Sequence, residues 1–203
     1  MDLQLDIFGD LADAAPPGHV DRILARSSDR VAWLRARSQG VTATDAARLT
    51  TPRSISAVAA EKTGMRGFGF QGNAYTEHGR AREPHIARWV HDHFSLAASD
   101  ALFHSVPERR HLATPDCVSD DGATLAEIKT TTKSFESAIP KPYLRQVWGQ
   151  QYVLGAERTL FVWEQHDHFV PIGPPRYAWV ERDEREIAAL IERANGLLAL
   201  LAR

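Results

Sequence analysis

Apolar residues along this chain change their spacing several times, and each change predicts an element. Across residues 21–37, Ile23, Leu24, Val31 and Leu34 recur near helical spacing with Trp33 among them, which predicts a helix. After the turn supplied by Gly40, a second helix is expected from Ala46, with Thr44 or Asp45 as its cap. A third covers residues 55–62 and gives way to a loop punctuated by Gly64, Gly67 and Gly69. Ile86, Trp89, Val90 and Phe94 form the next helical stripe, with Pro84 at a first-turn position or at a tolerated kink.

Shorter periods follow. A strand is expected over residues 102–106, then two strand-like runs, 114–118 and 125–129, joined by Ser119-Asp120-Asp121-Gly122. An Asp-Gly pair between such runs signals a hairpin. A helix beginning near Pro142 ends at Gly155, and strands are expected over residues 159–164, 169–172 and 177–180. Residues 181–203 close the chain as an amphipathic helix carrying Ile187, Leu190, Ile191, Ala194, Leu197, Leu198 and Leu201 on one stripe. This order predicts an α/β (α+β) fold with a central mixed sheet flanked by helices.

The hairpin carries the chemistry. Side chains alternate along a strand, so Leu125, Glu127 and Lys129 share one face while Ala126 and Ile128 take the other. Asp116 on the partner run completes a compact cluster of two carboxylates and one ammonium. Converging carboxylates suit a hard divalent cation such as magnesium, and a neighbouring ammonium can act on a water or phosphate oxygen held there. The pattern points to a metal-dependent phosphodiesterase centre, although Glu-x-Lys also occurs on solvated faces. Glu83 is either a capping acid or a further carboxylate for that centre. Gln146 and Gln150, four apart on one helix face, either bond water and phosphate or face solvent. The helix start at Thr42-Ala43-Thr44, with Arg37 nearby, is either a plain cap or a phosphate site.

Charge changes the picture more than composition does. The chain has 203 residues, a 43% apolar fraction and a 25% charged fraction, which fit one globular domain over residues 21–203 preceded by an arm, residues 1–20. Its net charge of −2 hides an asymmetry: residues 22–88 hold 12 Lys+Arg against 5 Asp+Glu, and the remainder 12 against 21. A basic half beside an acidic one suits a protein that grips phosphates with one part and metal with the other. No run approaches membrane-spanning length, and no secretory leader pattern opens the chain. One cysteine, Cys117, leaves no internal disulfide and no four-cysteine cluster, so the cytoplasm is the expected compartment. Within the arm, Gln4-Leu5-Asp6-Ile7-Phe8 resembles the peptide by which bacterial replication and repair proteins dock on the sliding clamp. Packing on its own domain is the other reading.

Taken in order, Arg37…Thr42-Ala43-Thr44, Gly79…Glu83, Pro115-Asp116…Glu127-Ile128-Lys129, Tyr143…Gln146-Val147 and Val180-Glu181-Arg182-Asp183-Glu184 are recognisable. The chain resembles the lambda-type phage exonucleases, the YqaJ viral recombinase family of the PD-(D/E)xK nuclease superfamily, from about Trp33 to the last helix. The resemblance implies a restriction-endonuclease-like core and a magnesium-dependent 5′→3′ exonuclease acting on double-stranded DNA ends. It implies that Asp116, Glu127 and the Ile128 carbonyl hold magnesium, as two ions, with manganese able to substitute. Lys129 would orient or activate the attacking water, Glu83 and Gln146 would complete the site, and Arg37, Thr44 and Thr114 would grip the terminal 5′-phosphate. It further implies a homotrimer that feeds single strands to an annealing protein. Thr44 and Thr114 stand where serine is common, Trp148 where a second glutamine is frequent, and Cys117 where glycine is. An endonuclease or repair nuclease of the same superfamily, or a non-catalytic DNA-end or clamp-binding module, are the alternatives.

Overall fold

The computed structural model describes residues 18–64, 73–135 and 137–202; the pentapeptide 4–8 and the glycine-punctuated stretch 65–72 lie outside them. In chain order come a 3-10 turn (Val20–Arg22), β1 (Ile23–Arg26), α1 (Arg30–Gln39), β2 (Val41–Thr42), α2 (Ala43–Arg48), α3 (Pro52–Lys62) and α4 (Ala74–Phe94). Then follow β3 (Ala97–Ala98), β4 (Ala101–His104), β5 (His111–Ala113), β6 (Cys117–Val118), β7 (Thr124–Thr131) and α5 (Lys141–Leu154). The chain closes with β8 (Arg158–Asp167), β9 (Val170–Pro171), β10 (Arg176–Glu181) and α6 (Glu184–Leu201).

The larger sheet runs β10-β8-β7-β6-β3, with β9 paired to β8; the smaller runs β1-β4-β5-β2. The pairs β7–β8 and β2–β5 are parallel and the others antiparallel, so both sheets are mixed. Alternation along β7 and β8 separates two cores. Ala126, Ile128, Leu160 and Val162 pack under Ile86, Ala87 and Val90 of α4, with Cys117 sealed beside them. Phe161 and Trp163 face the other way, against Phe135, Val147 and Trp148, with Ile187 and Leu190 from α6. Each buried Val, Leu, Ile or Phe among them contributes about 1.5–3 kcal/mol. The expected face division of the hairpin follows from this packing, with Glu127 and Lys129 on the α5 side.

Residues 21–37 do not form one helix. Ile23 joins a strand, paired with Phe103, and Arg22 is buried, donating to the carbonyls of His104 (3.2 Å), Val153 (2.6 Å) and Leu154 (2.9 Å). Those long-range bonds override the local spacing, and α1 begins only after Asp29, whose carboxylate accepts from Ala32 N. Val31 and Leu34 are exposed, so their periodicity did not mark a core face. The second helix starts earlier than expected, because Thr42 caps it: its hydroxyl accepts from Asp45 N while Asp45 accepts from Thr42 N. Pro84 is a mid-helix residue of α4, tolerated because Ile86, Ala87 and Val90 anchor the helix in the core after it and the Arg82–Glu164 pair fixes it before.

Candidate active site

β6 is only two residues long, pairing Cys117 with Ala126 and Val118 with Leu125. Pro115 has no N–H to continue that ladder. From Glu127 onward, β7 therefore lacks a strand on this edge, and a side chain takes its place: Asp116 Oδ2 accepts from Ile128 N at 2.6 Å, while Asp116 N donates to the Ala126 carbonyl at 3.1 Å. The N–H and C=O of a strand residue point to the same edge, so the Ile128 carbonyl faces the opening beside Asp116. The tight turn between β6 and β7 places Gly122 at φ 74°, where a side chain would be strained.

Glu127 is 1% exposed and heavily bonded. Gln146 Nε2 donates to its Oε1 at 2.6 Å, Gln150 Nε2 donates to its Oε2 at 2.6 Å, and the Lys129 ammonium bonds Oε1. Burial works against the charge on Lys129, but Glu127 and Asp116 outweigh it and raise its pKa. In this arrangement Lys129 is a protonated donor rather than a base. Its ammonium also lies 5.6 Å from the centre of the Tyr143 ring.

Asp116 has its pKa pushed well up, first by burial and then by Glu127, against the opposing pull of Lys129. Glu83 stands on the exposed rim of α4 with its carboxyl end toward the same cleft. Loss of water there and then the charge of Glu127 raise its pKa as well. Three carboxylates thus crowd one lysine, an excess of negative charge made of hard oxygen donors, which suits a divalent cation. Among the described residues no three His, Cys, Asp or Glu groups stand close enough together to hold one as they are. Glu127 Oε1 is taken by Gln146 and Lys129, and would have to be released.

The residues expected to hold phosphate stand around the smaller sheet, Arg37 on α1, Thr44 on α2 and Thr114 just past β5. Thr42 is level with Leu112 in the parallel pair β2–β5, so Thr44 and Thr114, each two residues further on, leave the same end of that pair. Thr114 Oγ1 is buried without a hydrogen-bond partner among the described residues, and Thr44 is exposed in the first turn of α2. The Arg37 guanidinium stacks 4.3 Å over the Trp33 ring; burial lowers its pKa and Asp45 opposes that. Its carbonyl accepts from Lys62 Nζ at 2.9 Å, and Lys62 also pairs with Asp45 at 2.9 Å. Thr114 lies two residues before Asp116 and so links this end of the small sheet to the acidic centre.

A family model, the YqaJ-like viral recombinase domain, matches residues 32–157, well over half of the chain. The chain belongs to this family. No curated protein sequence matches it, but solved structures do. The alkaline exonuclease LHK-Exo of Laribacter hongkongensis has 26% identity and a TM-score of 0.68, covering 84% of this chain and 91% of its own. In complex with dAMP it gives 27% and 0.69 over the same shares. A phage-related exonuclease of Haemophilus somnus 129PT, at 13% identity and TM-score 0.60 over 80% and 93%, shares the fold.

Two features of this YqaJ-family site escaped the sequence reading. Gln150 stood out only as a helix-face neighbour of Gln146, yet it holds the second oxygen of Glu127; the four-residue spacing of the two glutamines was the available signal. It offers the second amide that Trp148 does not, since the Trp148 indole is turned to the Glu181 carbonyl at 3.2 Å. Arg82 grips Glu164 of β8 through two bonds, Nε to Oε1 at 2.8 Å and Nη2 to Oε2 at 2.7 Å, which fixes α4 directly beside Glu83. Nothing in the sequence joins those two residues. The solvent-facing alternative for Gln146 and Gln150 is excluded by their bonds to Glu127.

Proposed function

We propose that this chain is a magnesium-dependent exonuclease that hydrolyses the phosphodiester bonds of double-stranded DNA from the 5′ end, 5′→3′, leaving single strands for recombination. Family membership and the likeness to LHK-Exo support a DNA nuclease, and the observation that carries the reading is the gathering of Asp116, Glu127 and Lys129 at the broken edge of β7. Asp116, Glu127 and the Ile128 carbonyl would hold two Mg2+ ions, or Mn2+ in their place, with Glu83 completing the set. Bound there, such ions polarise a phosphoryl oxygen and make water a better nucleophile at neutral pH.

The protein's own groups account for the rest. Gln146 and Gln150 fix the plane of the Glu127 carboxylate. Lys129, kept charged by its neighbours, orients water and offsets the charge that builds on the phosphate in the transition state. Arg37, Thr44 and Thr114 hold the terminal 5′-phosphate, Arg37 by charge and the threonines by hydroxyl donors. In this reading residues 21–203 are one nuclease domain and residues 1–20 an arm, with Gln4, Leu5, Asp6, Ile7 and Phe8 docking on a sliding clamp. The enzyme works as a homotrimer in the cytoplasm and passes its product to a single-strand annealing protein. Among the described residues no helix is long and apolar enough to cross a membrane.

The test is incubation with end-labelled linear duplexes that do and do not carry a 5′-phosphate, and with closed circular DNA, with and without magnesium. Digestion of the phosphorylated linear substrate alone, only with magnesium, is expected. Cutting of the circle would turn the reading to an endonuclease, and no cutting of any substrate would leave a binding module.

A further inference from the structure

Beyond the catalytic cleft, at the end of the sheet toward which β7 and β8 run, four rings form one cluster. His166 is stacked on Phe169 with centroids 5.6 Å apart, His78 meets the His166 ring at 4.5 Å, and Tyr75 lies 5.1 Å from Phe169. Phe169 occupies an unusual backbone position. With Asp167 paired to Val170, the turn between β8 and β9 is His168-Phe169, and both residues have positive φ, 45° and 68°. Such two-residue turns are normally filled by Asn-Gly or similar pairs. A bulky residue held there costs about 1–3 kcal/mol, and residues under such strain cluster where function needs them.

The surrounding rings hold this turn in place. His166 is 2% exposed, and neither its Nδ1 nor His78 Nε2 finds a hydrogen-bond partner among the described residues, so the two imidazoles support Phe169 through their faces and edges. Their outer partners are left open: Tyr75 is 58% exposed and Phe169 41%. The fold is therefore presenting two aromatic rings to solvent from a rigid base.

Position ties this platform to the cleft. Tyr75 and Glu83 share α4, eight residues or about 12 Å apart along its axis, a distance of about three to four stacked base steps. Close contact locks that part of α4 to the catalytic strand, since a Cβ on Gly79 would stand 3.3 Å from Thr130 Oγ1. Thr131, the last residue of β7, is level with Gln165, two residues before Asp167; exposed Lys133 follows it by two residues, and exposed Arg80 lies on α4 near enough to Glu83 for its charge to favour that carboxylate. The acid of the turn, Asp167, lies 3.7 Å from the His168 imidazole.

We propose that Tyr75 and Phe169 form a stacking platform for an unpaired nucleobase of the DNA end being processed, with Lys133 and Arg80 beside the backbone phosphates. Aromatic rings next to basic side chains bind single-stranded nucleic acid in this way, whatever the base. The inference rests on the nuclease reading for its substrate but not for its test.

The test measures DNA binding by fluorescence anisotropy in EDTA, where no hydrolysis is needed. Two labelled duplexes are compared, one blunt and one with a short unpaired end, against wild type, Phe169→Leu, Tyr75→Leu and Phe169→Trp. Each leucine variant should weaken binding of the unpaired end by about tenfold while changing blunt-end binding little, and the tryptophan variant should bind as wild type does. Because Tyr75 lies on a helix outside the strained turn, its variant answers even where Phe169→Leu loosens the hairpin. Unchanged binding of the unpaired end in both leucine variants overturns the proposal and leaves the patch to a protein partner; equal loss on both DNAs overturns it too. A wild type that binds in this ring-dependent manner yet never hydrolyses DNA with magnesium supports the platform and overturns the nuclease reading alone.

Discussion

Gln150 donates to Glu127 Oε2 at 2.6 Å with both residues only 1% exposed, so the carboxylate at the heart of the cleft is held from inside the protein. A buried carboxylate stripped of a donor keeps the desolvation cost without the bond. Gln150→Leu should therefore lose about 1.5–3 kcal/mol of stability, and activity should fall about 10–100-fold as a supporting contact to the carboxylate proposed to bind metal is lost. Urea denaturation and initial rates against magnesium concentration check the two effects. Wild-type rates in the variant would mean that Gln146 alone suffices to orient Glu127.

Lys129 differs from Gln150 in touching the cleft with a full charge. Lys129→Ala should slow digestion of end-labelled duplex by about 10²–10³-fold while leaving DNA affinity largely unchanged, because the residues proposed to grip phosphate, Arg37, Thr44 and Thr114, stand apart from it on α1, α2 and the end of β5. Gel assays of digestion and anisotropy titrations separate the two. A variant that digests at the normal rate would remove Lys129 from the chemistry.

Much of this centre could be read from sequence because it is local. The Asp-Gly turn sets the hairpin and the two-residue period puts Glu127 and Lys129 on one face, so Asp116 had to lie close by. The apolar stripe of α6 and the Gly155 end of α5 were legible for the same reason. What stayed hidden depends on distant partners. Arg22 is drawn inward by carbonyls more than 80 residues away, which turned an apparent helix into a strand. Arg82 meets a glutamate 82 residues later, and Phe169 is fixed by a ring from α4. Local spacing carries no record of such contacts.

The crowding of acids has a consequence for pH. Asp116 and Glu83 hold protons more tightly when folded than when unfolded, so the folded state binds more protons and metal-free stability falls as pH rises through and above the ordinary carboxylate range. Magnesium bound as proposed would replace those protons, and its stabilisation should be larger at pH 8 than at pH 5. Asp116→Asn removes a charge while an amide oxygen can still accept from Ile128 N. It should raise the metal-free melting temperature at pH 8, abolish the magnesium-induced increase and abolish digestion. Thermal melts at both pH values, with EDTA and with magnesium, provide the check; a metal-free Asp116→Asn protein less stable than wild type at pH 8 contradicts the crowding.

Arg82 and Glu164 supply the clearest separation of scaffold from chemistry. Glu164 is buried and both its oxygens are taken by one guanidinium, so Arg82→Ala leaves a buried charge unpaired. A loss of about 3–5 kcal/mol is expected. Glu164→Gln combined with Arg82→Ala should recover part of it, since the orphaned charge is then gone, and Arg82→Lys should recover less than the wild-type fork provides. Because α4 carries Glu83 one residue on, activity should fall in Arg82→Ala even at temperatures where the variant is fully folded, and the double variant should regain stability without regaining full rate. Chemical denaturation of the four proteins, with digestion rates measured well below each transition, tests both halves. Stability and rate recovering in parallel would mean that the ion pair serves the fold alone.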